Sequence, residues 1–580
     1  MSVSIPRGSS EYVKIIGAQR EASVWRKLAR PAIMADPNRE FDLRAGARLR
    51  ASLDELAAAG VVVLGLVWRL WRAHATFFNT DEAWHFSVAN QNSLSAVYKA
   101  SLTLAHPPLL VFISYFWRHL GTSELMLRLP GVVAGTVFCW VFYKWLGLLF
   151  ERSVAWVGLI LAVFLPPMIA LSAELRQYSL MLMFAVSAAY FLERALAYQS
   201  ASMMGLSSVC VCLAMLSHYS AFLFAACLGI YAMVRMLSRR PPTAVVAGWA
   251  AGQAAGVGLA GFLYQTHIAK LSTVYPVAQP LERFGDFYLA DWYFHAGRDR
   301  LLPFLYRGTF GVFRFIFGQT AVGQIAALLF VAGVAILISD RRISGEEAGF
   351  KNRASARVIA VLLGIPFVLN WAAVAAGLYP YGRTRQCVFL AVFALAGVSV
   401  GLSRIVRNRI GPAVSFALVM VAACQAFGTL QGRDLLPLAE QRHEYMEQAL
   451  EFIRGAVPKD DVILTDRATS FQLRHYLCHQ KPVEIEHAAD GRETFTCDGL
   501  RVVSTGTSDG ALTADDLLDK AKEVRRDYGL NPDAGFWVVQ GGWASGLGES
   551  VRGKFPAFSG IETHPFGRYL EVFKLPCACR

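Results

Sequence analysis

The sequence predicts a polytopic α-helical membrane protein of about eleven spans plus juxtamembrane helices, closed by a C-terminal α/β soluble domain. Three observations predict it. Of 580 residues, 55% are apolar and 17% charged, against about 25% charged in ordinary soluble domains. Mean hydropathy is positive. Repeated runs approach the ~20 apolar residues that cross a hydrocarbon core, and after residue 429 the chain turns polar.

The runs fall at 56–74, 126–149, 154–172, 175–196, 203–217, 219–238, 243–264, 319–339, 356–378, 387–405 and 411–429. Basic residues between them set the orientation. Residues 1–55 form a basic N-terminal segment with ten Lys or Arg. Arg235, Arg239 and Arg240, then Arg341, Arg342, Lys351 and Arg353, then Arg404, Arg407 and Arg409 fill later loops. With eleven crossings these fall on the cytoplasmic side. Residues 75–125, 173–178, 265–318, 379–386 and 430–580 then face outward from the cytoplasmic (inner) membrane. Pro108–Leu120 is apolar but too short to cross, since about 13 helical residues rise only about 20 Å. It is expected to lie at the outer surface. No cleavable signal peptide is expected, because the first apolar run starts near residue 56. Three parts result: residues 1–55, a membrane domain over 56–429, and an extracytoplasmic domain over 430–580.

The net charge of +13 does not point to nucleic acid, because the basic residues sit between spans, where topology and lipid headgroups account for them. Ten cysteines make no metal pattern. Cys139, Cys210, Cys212, Cys227, Cys387 and Cys424 lie in apolar runs and read as small buried hydrophobes. Gly256-Val-Gly258-Leu-Ala-Gly261 matches a dinucleotide fingerprint, but it lies inside an apolar helix without the strand or the acid that fold needs. Gly248, Gly252 and Gly256, spaced by four, read instead as a helix-packing face.

In the tail, His443–Ile453 and Ser470–Cys478 read as helices. Asp461–Asp466, Phe536–Gln540 and Tyr569–Lys574 read as strands. On an oxidising side Cys478 can bridge Cys497, although with Cys577 and Cys579 three pairings are open.

The outward loops carry polar residues that spans do not need. The first holds Asp81, Glu82, His85 and His106, and Arg128 enters the next span. Glu174, Arg176 and Tyr178 follow the third span, His218 and Tyr219 form a tight turn, and Lys270 opens the large loop. Tyr381, Arg383 and Arg385 lie in the last short turn. Two acids and several cations at one membrane depth suit a phosphate-bearing lipid and a hydroxyl acceptor: cations for the phosphate, a carboxylate for the proton. Simpler roles exist for each. Thr80-Asp81-Glu82 can cap a helix, and His106 before two prolines can fix a turn. Arg128 and Arg176 can snorkel, and Tyr178 and Tyr219 can be interfacial aromatics. Glu82-Ala-Trp-His85 has the spacing of a carboxylate metal site, which needs a second copy in the bundle. The other copy, Glu484-Ile-Glu-His487, is in the tail, so no cofactor is assigned and a divalent metal stays as the lesser reading of this pair.

Taken in order, Asp81-Glu82, His106-Pro-Pro-Leu109, Arg128-Leu-Pro130, Glu174-x-Arg176-x-Tyr178, His218-Tyr219 and Gly382-x-Thr-Arg385 resemble the motifs of GT-C glycosyltransferases. The nearest branch is the protein O-mannosyltransferase-like group that includes the lipid A aminoarabinose transferase. The resemblance covers residues 55–430. It implies a GT-C-like fold, a polyprenyl-phosphate sugar donor, and inverting transfer to a glycan, lipid or protein hydroxyl at the outer face. It also implies Asp81 as general base, with Glu82 as the second candidate, and Arg128, Arg176, Lys270, Arg383 and Arg385 toward the donor phosphate. His85, His106, Glu174, Tyr178, His218, Tyr219 and Tyr381 complete the expected substrate-binding set. The loop 265–318 alternates aromatic residues (Tyr275, Phe287, Tyr288, Trp292, Tyr293, Phe294) with Lys270, Arg283, Arg298 and Arg300. It reads as an interfacial amphipathic helix or as a lid over the donor. Two rival functions are weighed. A flippase would place ionisable groups near the midplane within internal repeats. A non-catalytic partner in envelope polysaccharide assembly would leave Asp81-Glu82 idle.

Overall fold

The structure is a computed structural model that describes residues 37–270, 289–339, 354–428, 435, 437–459, 461–478, 483–488, 491–505, 512–528, 536–541 and 546–575. Cys577, Cys579, Tyr275, Arg283, Phe287, Tyr288, Arg341, Arg342, Lys351 and Arg353 lie outside the described residues. So do residues 1–36 of the basic segment. The chain divides into two compact units, Met1–Ala58 and Ala59–Arg580. The described part of the first is the beginning of α1 (Pro37–Ala75).

The apolar run 56–74 is the C-terminal half of α1. Three short helices follow: α2 (Thr80–Ala89), α3 (Leu94–Ser101) and α4 (Leu109–Trp117). The last is the short helix expected before the second span. Then come α5 (Glu124–Leu149), α6 (Arg152–Phe164), α7 (Pro166–Ser172), α8 (Tyr178–Tyr198), α9 (Ala201–Ser217), α10 (Ala221–Arg239) and α11 (Thr243–Leu263). The second half contains α12 (Leu301–Phe317), α13 (Thr320–Ser339), α14 (Ala356–Ala375), α15 (Ala391–Ile405) and α16 (Ile410–Phe427). Among the described residues, helix thus covers most of every run named above. Among the described residues, eight helices are long and apolar enough to cross a membrane, or nine if α6 and α7 are one bent span. That is fewer than the eleven expected. Part of the reason is α9, which has 17 residues and so rises about 26 Å against a core of about 30 Å.

The expected span 154–172 is broken by Pro166 and Pro167, with a 59° bend between α6 and α7. Neither proline has an N–H, so the carbonyls of Ala162 and Val163 lose their usual i+4 donors. The fully buried Arg69 of α1 replaces both, with Nη2 3.1 Å from Ala162 O and Nη1 3.1 Å from Val163 O. Pro130 inside α5 likewise frees Met126 O, which accepts from the Trp117 indole at 2.8 Å.

The glycine motif on α11 is helical throughout. A Cβ on Gly252 would overlap the Ser208 side chain of α9, so this glycine permits a close helix approach, as the spacing by four predicts. Within the large loop, α12 packs Gly308 and Gly311 against Tyr381–Arg383 and leaves Leu302 and Tyr306 exposed. This matches the amphipathic-helix reading for that part of the loop.

The tail folds into α17 (His443–Ala456), β1 (Val462–Thr465), α18 (Arg467–Leu477), β2 (Glu486–His487), β3 (Glu493–Cys497), β4 (Leu500–Ser504), α19 (Ala514–Asp527), β5 (Phe536–Gly541), α20 (Leu547–Lys554), β6 (Thr563–Pro565) and β7 (Leu570–Leu575). One sheet runs β2-β3-β4-β1-β5-β7-β6. β1 is parallel to β4 and β5, and the outer pairings are antiparallel. Because strand side chains alternate, Ile463, Val502 and Val539 meet Met446, Ile453 and Leu473 on one face. Leu464, Val503 and Val538 meet Leu517, Val524 and Val551 on the other. Helices cover both faces, which is why β1 and β5 read as continuous apolar runs. Cys478 and Cys497 form a disulfide.

Candidate active site

The segment between α1 and α2 sets the site. Asn79 caps α2: its side chain accepts from Glu82 N–H at 3.0 Å, and Glu82 Oε2 accepts from Asn79 N–H at 3.1 Å. Such a reciprocal box fixes a helix start. Glu82 does more than cap. Its two oxygens take Arg128 Nε and Nη2, each at 2.7 Å, and Leu175 N–H at 2.7 Å. Arg128 spends its remaining donors on Ala73 O, Thr76 O, Thr76 Oγ1 and Phe77 O at 2.6–3.0 Å. Both side chains are fully buried. The expectation that Arg128 reaches a donor phosphate is therefore corrected, because all five of its N–H groups are engaged inside the fold. Glu82, the second candidate base, has its lone pairs occupied by fixed donors and is part of the same lock.

Asp81 lies on a different side of α2, since successive helix residues turn by about 100°. Its carboxylate is 27% exposed and touches two guanidinium groups, Arg176 Nη1 at 3.1 Å and Arg385 Nη1 at 3.3 Å. Arg385 also lies 3.5 Å from Glu174 Oε2. Burial pushes the Glu174 carboxyl above its ordinary range, against the pull of Arg385. His85, one turn after Asp81, donates from Nδ1 to Asp81 O at 2.8 Å, and Arg176 Nη1 stands 3.3 Å from the same nitrogen. Burial, reinforced by Arg176, depresses His85 to about 3. His106 lies 5.3 Å from the His218 ring and 6.3 Å from the Tyr178 ring. Tyr178 Oη accepts from Arg176 at 3.3 Å. His218 is also held at about 3, by burial and then Arg176; its Nδ1 accepts from Ser220 N–H at 3.0 Å. The three imidazoles are thus neutral near pH 7, and the charge of the cluster resides in Arg176, Arg385 and the carboxylates.

The structure therefore brings Asp81, His85, His106, Glu174, Arg176, Tyr178, His218 and Arg385 together from loops far apart in sequence. Tyr219 pairs with His267, its hydroxyl 2.6 Å from Nδ1. Lys270 donates to Tyr98 Oη at 3.3 Å. Tyr381 Oη meets Thr309 Oγ1 and Trp371 Nε1, each at 2.8 Å, which makes it a buried tie between α12 and α14. Arg383 is half-buried in the same turn, two residues before Arg385. Sequence reasoning gave Asn79, Tyr98 and His267 no role. The Asn79-x-x-Glu82 spacing is a capping-box signal that could have identified the first, whereas nothing local marks the other two. Among the described residues, no three His, Cys, Asp or Glu side chains are grouped to hold a metal. The Glu82 carboxylate of the Glu-x-x-His pair is taken by Arg128.

Chemically, the cluster offers one partly exposed carboxylate as a proton acceptor. Beside it are two guanidinium groups whose present partners are carboxylates that an incoming anion could replace.

The family model for dolichyl-phosphate-mannose-protein mannosyltransferase matches residues 105–262. That stretch holds the His106, Arg128, Glu174–Tyr178 and His218-Tyr219 motifs, and the match bears out the resemblance read from them. A search of curated proteins finds no match. Among solved structures, ArnT from Cupriavidus metallidurans bound to undecaprenyl phosphate is similar at 11% identity and TM-score 0.49, over 90% of this chain and 98% of that one. The oligosaccharyltransferase AglB from Archaeoglobus fulgidus is similar at 11% identity and TM-score 0.43, over 89% and 74%. The arabinosyltransferase EmbB from Mycobacterium smegmatis is similar at 12% identity and TM-score 0.32, over 64% and 43%.

Proposed function

We propose that this integral membrane protein is an inverting glycosyltransferase. It moves a sugar from a polyprenyl-phosphate donor to a hydroxyl acceptor at the outer face of the cytoplasmic membrane. The observation that carries the reading is Asp81, partly exposed and flanked by Arg176 and Arg385. The matched family's description names a lipid-phosphate sugar as donor, the class of substrate such a pair of cations suits. The acceptor oxygen attacks the anomeric carbon while its proton passes to an Asp81 oxygen. A carbon–oxygen bond forms on one face as the bond to the phosphate oxygen breaks on the other. Polyprenyl phosphate leaves, and Arg176 and Arg385 stabilise the charge it gains. Fixed cations aimed at developing charge are among the largest catalytic contributions. The neutral imidazoles of His85, His106 and His218 line the cluster without competing for Asp81 as counter-ions. The acceptor is a glycan, lipid or protein hydroxyl, and membrane lipids surround the spans.

The test is Asp81→Asn in the purified protein, assayed with undecaprenyl-phosphate hexoses and pentoses. Loss of a general base costs about 10²–10⁴-fold in turnover, with undecaprenyl phosphate binding retained. Near-normal turnover in the Asn variant would remove Asp81 as the base.

A further inference from the structure

We infer that the C-terminal domain is a positioning component of the transfer site, acting through Phe77 and Phe78, the two residues that lead into the Asp81 helix. Every main-chain polar group of this pair is bonded to the tail. Phe77 N–H donates to Gln441 O at 3.0 Å, and Phe77 O accepts from Gln441 Nε2 at 2.5 Å as well as from Arg128. Phe78 N–H donates to Tyr476 Oη at 2.8 Å, and Phe78 O accepts from Gln472 Nε2 at 2.8 Å. The side chains are held as firmly. Phe77 is buried in the tail's own core beside Met446, Leu450 and Ile453, and Phe78 packs on the His475 ring at 4.7 Å.

The grip extends onto α2. Phe471, Gln472, His475 and Tyr476 share one face of α18 by their i, i+1, i+4, i+5 spacing. Phe471 stacks on Trp84 at 5.7 Å and 10°, and His475 meets Phe86 edge-on at 5.1 Å. Tyr476 also donates to Glu124 at the start of α5, and His443 Nδ1 is 2.8 Å from Glu124 Oε2. The tail therefore spans α2 and α5, the helix start that carries Asp81 and the helix that carries Arg128. Besides Glu124, the contacts these tail residues make fall on Phe77, Phe78, Trp84 and Phe86, so they act through the 77–86 segment. Their effect is on the placement of the carboxylate, where an error of about 1 Å can cost about a hundredfold in rate.

The inference rests on the reading of Asp81 as the base, and the experiment separates the two. The full chain carrying both Tyr476→Phe and Gln472→Met removes three polar contacts, two to Phe78 and one to Glu124, and keeps the side-chain volume. Amide hydrogen exchange over residues 77–86 is measured beside kcat and KM with the undecaprenyl-phosphate sugar that gives most turnover in the parent. Exchange in that segment should rise at least about tenfold. The kcat should fall about ten- to a hundredfold, and KM for the donor should stay within about twofold because Arg176 and Arg385 sit on other elements. Unchanged exchange overturns the proposal. So does faster exchange with kcat retained, or a fall in kcat that only follows a general loss of thermal stability. If the parent transfers no sugar from any such donor, the glycosyltransferase reading fails, and exchange alone still decides whether the tail holds the segment.

Discussion

Asp81 and Glu82 are adjacent carboxylates with opposite environments. Glu82 is fully buried and takes donors from the capping Asn79, from Arg128 and from Leu175. Asp81 retains 27% exposure and faces two guanidinium groups, of which Arg385 also serves Glu174. The comparison teaches what separates scaffold from chemistry in a membrane loop. A carboxylate whose lone pairs are filled by fixed donors holds the fold together. One that shares cations near an opening has partners that a substrate can take over. Exposure of about a quarter, rather than charge or motif, is what distinguishes the two.

The comparison can be broken most decisively through turnover. Asp81→Asn should lower it about 10²–10⁴-fold while the thermal midpoint stays near that of the parent. Glu82→Ala should do the reverse in kind. It leaves Arg128 buried without its counter-ion, at a cost of about 3–5 kcal/mol, read as lost folded yield and an earlier unfolding transition in detergent. A Glu82→Ala protein as stable as the parent would dissolve the contrast. Arg385→Ala should weaken undecaprenyl phosphate binding about ten- to a hundredfold, since a charge-assisted contact is worth about 1.5–3 kcal/mol. Lys270→Ala should weaken it less, because Lys270 engages Tyr98. Equal effects from the two would move the phosphate site toward the large loop.

Acidity gives the smallest and broadest effect. His85 and His218 are held at about 3 and His475 at about 4, each chiefly by burial, against about 6.5 when unfolded. Below about pH 6.5 the unfolded chain binds more protons, so stability rises with pH there. It is complete above about 6.5 and lost as pH falls toward 3–4. Asp466, pushed up to about 6 by burial, and His443, raised by its bond to Glu124, oppose this. Glu174 and Glu571, raised chiefly by burial, oppose it too, whereas His106, depressed by burial, adds a fourth imidazole to the histidine side. The thermal midpoint should therefore be lower at pH 5 than at pH 7.5, and a midpoint that rises on acidification would contradict the burial of the histidine cluster.

Much of this was legible in the sequence for a physical reason. The spans are written in continuous apolar runs, and Asp81, Glu174-x-Arg176-x-Tyr178 and Arg385 stand where charge follows such a run. The tail strands β1, β5 and β7 were legible because they are apolar stretches. Other local signals were present but unread. Cys497-Asp-Gly-Leu500 is a two-residue hairpin with Asp498 and Gly499 at φ 53° and 81°, the geometry Asp-Gly favours. Thr513 caps α19 in a box with Asp516. What could not be read was pairing across distance. Nothing local tells that Arg128 belongs to Glu82, or that Phe78 will be held by a tyrosine 398 residues later. Reading Arg128 as a phosphate ligand was a failure of that kind.

Arg69 has a consequence for how the chain enters the bilayer. A guanidinium in an apolar run opposes insertion by about 2.5–3.5 kcal/mol at a helix centre. The α6–α7 break exposes two carbonyls that hydrocarbon cannot solvate. Each segment is a poor passenger alone, and each supplies what the other lacks. α1 precedes its partner by roughly ninety residues, so the carbonyls of Ala162 and Val163 can reach Arg69 only after α6 has been made. The Arg69 pairing is therefore a contact that the earlier helix prepares and the later one completes.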